Sequence, residues 1–309
     1  MKLSDIHIRD PFILPVADRA KYFLFGTTPA SASGVGFDCY RSRNLVHWEG
    51  PIQAFRPPPG FWAVREYWAP EVHAFAGSFI MLATFSDGRR RRTQVLIAER
   101  PEGPFVPWSD GPVSPADWNC LDGTLHVDDS AIPWMVFCHE WTQIGDGAML
   151  AMPLSSDLRQ PAGPPRKLFS AARAPWARRL ELNEAAQYRL DVSGPVLQRG
   201  LYVTDGPFLH RLVDGSLIML WSSQGARGYA MGLARSTTCS ITGTWTHDAE
   251  PLWPLDGGHG MLFRTLACVL VLALHQPNNT PHERTILQPV MEQAGVLRIR
   301  EDAAGPPCL

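Results

Sequence analysis

Five short stretches of the chain carry residues suited to acid–base chemistry, and each opens an apolar run. They are Asp10-Pro11-Phe12-Ile13-Leu14, Glu71-Val72-His73-Ala74-Phe75, Asp122-Gly123-Thr124-Leu125, Asp205-Gly206-Pro207-Phe208-Leu209 and His259-Gly260-Met261-Leu262-Phe263. Carboxylates that converge on one point can divide the work: a protonated one gives its proton to a leaving oxygen, while an ionised one activates water or attacks. The two then need different pKa values, which a third carboxylate or a nearby cation can set. A single Asp before Pro or Gly is an ordinary turn residue that caps backbone amides. Recurrence at the start of successive units argues for a shared site instead.

The elements that would position these residues follow from what comes next in each unit. Every opening leads through a turn to a second apolar run: Tyr22-Phe23-Leu24-Phe25, Phe79-Ile80-Met81-Leu82, Trp134-Met135-Val136-Phe137, Leu217-Ile218-Met219-Leu220 and Val269-Leu270-Val271-Leu272. Short runs of β-formers cut by Gly, Pro, Ser and Asn clusters read as hairpins. Five such units, each of roughly 50 to 80 residues, predict an all-β fold, a five-bladed β-propeller. In a four-stranded blade the first strand lines the central channel, and the antiparallel second strand ends at the same face. That would bring Phe85, His139-Glu140-Trp141, Trp221 and His275 to the rim of a pocket holding Asp10, Glu71, Asp122, Asp205 and His259. Acids for hydroxyls and aromatic faces for rings make a sugar-binding composition. Glu71, Phe85, Glu140, Trp141 and Trp221 are the expected substrate contacts, whereas Trp48, Trp108 and Trp245 fall on outer strands as packing residues. The Arg89-Arg90-Arg91-Arg92 run reads as a solvated hairpin tip.

Composition bounds the rest. A net charge of -2 in 309 residues gives no electrostatic reason for a nucleic acid or an anionic membrane as partner. The longest apolar run, residues 266–274, is too short to span a bilayer. Residues 1–7 lack an apolar signal region, and the six Cys form no CxxC pair or regular framework. A cytoplasmic protein with reduced thiols is the expectation. Residues 1–309 read as one domain, with the Pro-, Arg- and Ala-rich residues 161–201 as an insertion between units three and four that lies over one face. A short helix is expected within Arg178–Arg189.

Arg9-Asp10-Pro11-Phe12-Ile13, Trp68-Ala69-Pro70-Glu71-Val72, Leu121-Asp122-Gly123, Asp205-Gly206-Pro207-Phe208 and Gly257-Gly258-His259-Gly260-Met261 together resemble glycoside hydrolase family 43, in order and over essentially the whole chain. The resemblance implies a five-bladed propeller that hydrolyses α-L-arabinofuranosides or β-D-xylosides with inversion, acting on small plant-derived oligosaccharides. It makes Asp10 the general base, Asp122 the residue that tunes and orients the acid, and His259 a channel histidine that binds a calcium ion (Ca2+) directly or through water. It makes Arg284 the last-blade cation near the carboxylates. Inversion implies catalytic carboxyls about 6.5–9.5 Å apart. The departure is at the acid: the family's Glu-Gly-Pro is Asp205-Gly206-Pro207 here, one methylene shorter. Three readings stay open: Asp205 serves as acid, Glu140 has taken the role, or the propeller binds sugars without efficient hydrolysis.

Overall fold

Short runs of aromatic and β-branched residues separated by tight turns pair first with their chain neighbours, because hairpins close the smallest loops. The computed structural model, which describes residues 1–186, 188, 190 and 194–300, carries this through to five four-stranded antiparallel sheets of consecutive strands. Blade one is β1 (Arg9–Val16), β2 (Lys21–Thr27), β3 (Phe37–Ser42) and β4 (Trp48–Phe55). Blade two is β5 (Arg65–Phe75), β6 (Ser78–Ser86), β7 (Arg91–Ala98) and β8 (Val106–Pro107). Blade three is β9 (Cys120–Val127), β10 (Pro133–His139), β11 (Ala148–Pro153) and β12 (Arg166–Ser170). Blade four is β13 (Asp205–Arg211), β14 (Leu217–Gly225), β15 (Gly228–Ser236) and β16 (Trp245–His247). Blade five is β17 (Gly258–Arg264), β18 (Leu270–Gln276), β19 (Arg284–Gln293) and β20 (Val296–Ile299). The expected five-bladed β-propeller is the fold.

Among the described residues no strand is exchanged between the first and last blades, and side chains close the ring. His7 and Arg9 both reach the fully buried Glu283, and the amide of Leu266 donates to the Tyr22 hydroxyl at 2.8 Å. Apolar side chains fill the gaps between blades. Phe85 of blade two packs against Phe37 and Phe55 of blade one, with centroids 5.7 and 5.8 Å away. Trp221 of blade four packs 5.3 Å from Phe169 of blade three.

The inner strands share one irregularity. Pairing with strand two slips just after Arg9, Trp68, Leu121, Asp205 and Gly258. The next residue has positive φ in every blade: Asp10 (52°), Ala69 (44°), Asp122 (57°), Gly206 (54°) and His259 (47°). Such bulges bend a strand and re-aim a side chain. Non-glycine residues held there cost of order 1–3 kcal/mol each, so the surroundings must over-determine them.

Hydrogen bonds from blade to blade do so. The bulge amides of Ala69, Asp122 and His259 donate to Thr27 Oγ1, Thr84 Oγ1 and Ser222 Oγ at 2.8, 2.9 and 2.8 Å, and that of Asp10 donates to His275 Nδ1 at 3.2 Å. The acceptor in each case is the strand-two partner of the preceding blade's slip residue. Cys138 holds that place in blade three, and there the Gly206 amide donates instead to Asp122 Oδ2 at 3.0 Å.

Part of the expected insertion belongs to a blade, since β12 is the outer strand of blade three. The connection to blade four then carries two short helices, α1 (Leu182–Ala185) and α2 (Gly194–Arg199). Its Leu180, Ala185, Leu201 and Val203 pack on Trp141. The helix expected within Arg178–Arg189 shrinks to the single turn of α1, and Gln187 and Arg189 lie outside the described residues. Among the described residues no helix is long and apolar enough to cross a membrane.

Candidate active site

The bulges sort the inner residues into two tiers around one cavity of about 580 Å3. Asp10, Asp122 and His259 come from bulge positions, while Arg9, Trp68, Leu121 and Asp205 come from the positions just before them. Glu140 and Trp141 add a wall from the end of strand two of blade three, and Tyr229 adds one from β15. Tyr188 reaches in from the connection between blades three and four, and Asn278, Asn279 and Thr280 from the β18–β19 loop. The volume is in the range that encloses small ligands.

Asp10 is held ionised. Thr27 Oγ1 donates to its Oδ2 at 2.7 Å, while His259 Nδ1 and Arg9 Nε lie 3.2 and 3.5 Å from its Oδ1. Burial penalises the charge, but His259 and Arg9 outweigh it and hold the Asp10 carboxyl well below the usual carboxylate range. For His259, burial is outweighed by Asp10, Asp122 and Asp205, so its pKa is raised. His275 is the opposite case: burial and then Arg9 push it down to about 4, so it is neutral and its Nδ1 is free to accept the Asp10 amide.

Asp122 and Asp205 move the other way. Burial, with Asp205 and Asp10 close by, pushes Asp122 up to about 8. Burial and the charge of Asp10 push Asp205 up to about 6, against the pull of His259 and the Tyr229 hydroxyl. The two carboxyls share one field, and ionising either disfavours ionising the other. Tyr229 donates to Asp205 Oδ2 at 3.0 Å, and its ring stacks on His275 at 5.7 Å. Gly206 cannot be larger, because a Cβ there would sit 2.7 Å from the His259 ring. The glycine of the Asp-Gly-Pro motif thus lets the histidine of blade five lie against the bulge of blade four.

The other expected residues divide. Glu140 and Trp141 line the cavity. Both Glu140 oxygens accept from Arg91 Nη1, at 2.8 and 2.7 Å, and Arg91 also binds Glu66. Burial raises the Glu140 pKa although Arg91 opposes it. Glu71 lies outside the cavity, two positions past its bulge, with Oε2 3.3 Å from His73 Nε2. Phe85 and Trp221 are fully buried between blades, away from the cavity. Arg284 is also outside it, donating to the carbonyls of Ser4, Pro281 and Glu283. The cation beside the carboxylates is Arg9, which also binds Glu283 and Asn278. Sequence reasoning passed over Arg9, Trp68, Tyr188 and Tyr229 as site residues. Register alone would have revealed Arg9 and Trp68, which occupy the same pre-bulge position as Asp205.

The Nδ1 side of His259 is taken up by carboxylates. Its Nδ1 faces Asp10 and lies 3.8 Å from Asp122 Oδ2, and those carboxylates already accept from Thr27 and Gly206. Among the described residues no group of three or more His, Cys, Asp or Glu side chains is arranged to hold a metal ion.

Comparison with known proteins agrees with this geometry. Residues 4–295 match glycosyl hydrolases family 43. The structure of an endo-arabinase from Bacteroides thetaiotaomicron is 34% identical with a TM-score of 0.84, over 96% of this chain and 98% of that one. An α-L-arabinofuranosidase from Lactobacillus brevis is 17% identical with a TM-score of 0.71, over 93% of this chain and 92% of that one. An endo-1,4-β-xylanase from Bacteroides thetaiotaomicron is 21% identical with a TM-score of 0.71, over 96% and 94%. These last two share the fold. No curated protein matches the chain. A match over nearly the whole length, on a propeller whose axis gathers buried carboxylates, means that the chain belongs to family 43 and is a glycoside hydrolase.

Proposed function

We propose that the enzyme hydrolyses α-L-arabinofuranosyl linkages of small oligosaccharides with inversion, Asp10 acting as general base and Asp205 as general acid. The observation that carries this reading is the opposite displacement of two carboxyls in one cavity: Asp10 is held down as an anion, and Asp205 is raised to about 6, so that below that pH it holds a proton. In the proposed step Asp10 takes a proton from water as the water oxygen attacks the anomeric carbon, and Asp205 gives its proton to the departing oxygen. Tyr229 then donates to the Asp205 carboxylate left behind, and Arg9 and His259 keep Asp10 in place. Asp122, which accepts the Gly206 amide, holds the backbone beside the acid in place. The choice of arabinose is supported by the 34% identity to a protein described as an endo-arabinase. Glu140 is the weaker candidate for the acid, because both its oxygens are occupied by Arg91.

The test compares wild type with Asp10→Ala, Asp205→Ala and Glu140→Ala on nitrophenyl α-L-arabinofuranoside, nitrophenyl β-D-xyloside and an arabino-oligosaccharide. Loss of the base should cost roughly 10²–10⁴-fold on every substrate. Loss of the acid should cost a similar factor on the oligosaccharide while sparing nitrophenol, a leaving group that needs little protonation. If Glu140→Ala shows that split instead, the acid is Glu140. Preferred turnover of the xyloside would replace arabinose with xylose. Sugar binding with no turnover by wild type would make the propeller a binding module and sink the proposal.

A further inference from the structure

A second cavity, of about 670 Å3, adjoins the catalytic one, and Arg91 lines both. Its wall includes Arg65, Arg89, Arg90 and Arg91, with Glu66 and Asp87 as its acidic members and Leu190 as its apolar side chain. The acids there are already engaged. Both Glu66 oxygens accept from Arg91, at 3.1 and 3.2 Å. Asp87 Oδ1 accepts the amides of Arg89 and Arg90 at 2.8 Å each, and its Oδ2 faces Arg92 at 3.3 Å. Arg65 and Arg89 are in a different position. Arg65 Nη2 donates to the Gly88 carbonyl at 3.2 Å, which leaves its charge uncompensated, and neither residue forms an ion pair among the described residues. The chain as a whole has a net charge of -2, so overall composition does not account for a cationic cavity here.

Arg91 is fixed as the partition between the two cavities. Glu66 and Glu140 bind it from two sides, and its guanidinium lies 4.8 Å over the Trp68 ring that faces the catalytic cavity. A saccharide held in the catalytic cavity therefore has a neighbouring space lined by guanidinium groups whose planar forks match a carboxylate. We propose that this cavity binds an anionic substituent of the substrate, a uronic acid carboxylate on a sugar next to the one being cleaved. The inference rests on the glycosidase reading of the adjoining cavity.

The experiment compares kcat/KM on a neutral arabino-oligosaccharide with that on the same oligosaccharide bearing a uronic acid, and on a third bearing a sulfate ester, for wild type and Arg65→Ala/Arg89→Ala. Both arginines are exposed, so their loss should leave folding intact. Wild type should favour the acidic substrate by about tenfold, the scale of one charge-assisted contact. The double variant should lose that preference while keeping its rate on the neutral substrate. High salt should also weaken the preference, because exposed charges are screened. A gain on the sulfate ester equal to that on the uronic acid would overturn the choice of a carboxylate. Equal rates on neutral and acidic substrates in wild type, or a preference that survives the double substitution, would overturn the site. If wild type turns over nothing, the glycosidase reading fails, and calorimetric binding of the acidic oligosaccharide by wild type and double variant decides the cavity by itself.

Discussion

The hydroxyl of Tyr229 donates to Oδ2 of Asp205 at 3.0 Å, and no other side chain among the described residues hydrogen-bonds that carboxyl. The side-chain hydrogen-bond partner of the proposed acid is thus neutral, while the charged partners Arg9 and His259 lie against Asp10. The asymmetry separates two carboxyls of the same residue type by environment alone.

Tyr229→Phe should expose that control. Removing a donor to the ionised form raises the Asp205 pKa, so the alkaline limb of kcat/KM on an oligosaccharide should move up by about one unit, the scale of one hydrogen bond. The rate should fall by about tenfold on the oligosaccharide and little on the nitrophenyl glycoside. A pH profile superimposable on wild type would show that Tyr229 does not act on the acid.

Asp205→Asn should stabilise the protein as it inactivates it. The pKa of Asp205 is raised on folding, so the proton it holds adds stability below the unfolded carboxylate value. That contribution is lost as pH rises through about 6. Replacing the carboxylate with an amide removes the cost of the buried charge. The Tm should therefore rise by roughly 2–4 °C at pH 8, and the gain should vanish at pH 4. A gain of the same size at both values would point to packing instead of charge.

Gly206→Ala should be felt in another blade. The new Cβ meets the His259 ring at 2.7 Å, on a backbone with φ of 54°. The expected loss is about 1–3 kcal/mol of stability, read from denaturant unfolding. Displacing His259 also weakens its hold on Asp10, so the acid limb of kcat/KM should shift to higher pH. An unchanged acid limb would mean that His259 does not set the Asp10 charge.

Chelation tests the same imidazole differently. With His259 Nδ1 facing Asp10 and Asp122, exhaustive treatment with EDTA should leave kcat/KM unchanged, whereas His259→Gln should raise the acid limb. Loss of activity on chelation, restored by calcium, would show that activity depends on an ion.

The propeller was legible in the sequence because its pairing is local. Each opening, turn and second apolar run is a hairpin within one unit, and the Gly and Pro turns mark its ends. The convergence of Asp10, Asp122 and Asp205 followed from that period. Register did not, and register decided the site. The same pattern, an acid near Pro or Gly, falls on the bulge at Asp10 and Asp122, one position before it at Asp205 and two after it at Glu71. Only the paired strands reveal which of these applies. The misplaced aromatics have the same cause. Side chains alternate along a strand between the two blades it separates, so Thr84 reaches Asp122 of the next blade while its neighbour Phe85 turns back to Phe37 and Phe55. Ser222 likewise reaches His259 while Trp221 turns back to Phe169. Tyr229 reaches Asp205 from another strand of the same blade, and Arg9 meets Glu283 and Asn278 only when the ring closes. Residue types and their period determined the fold and the kind of chemistry; which carboxyl holds the proton depended on burial, and burial exists only in the assembled ring.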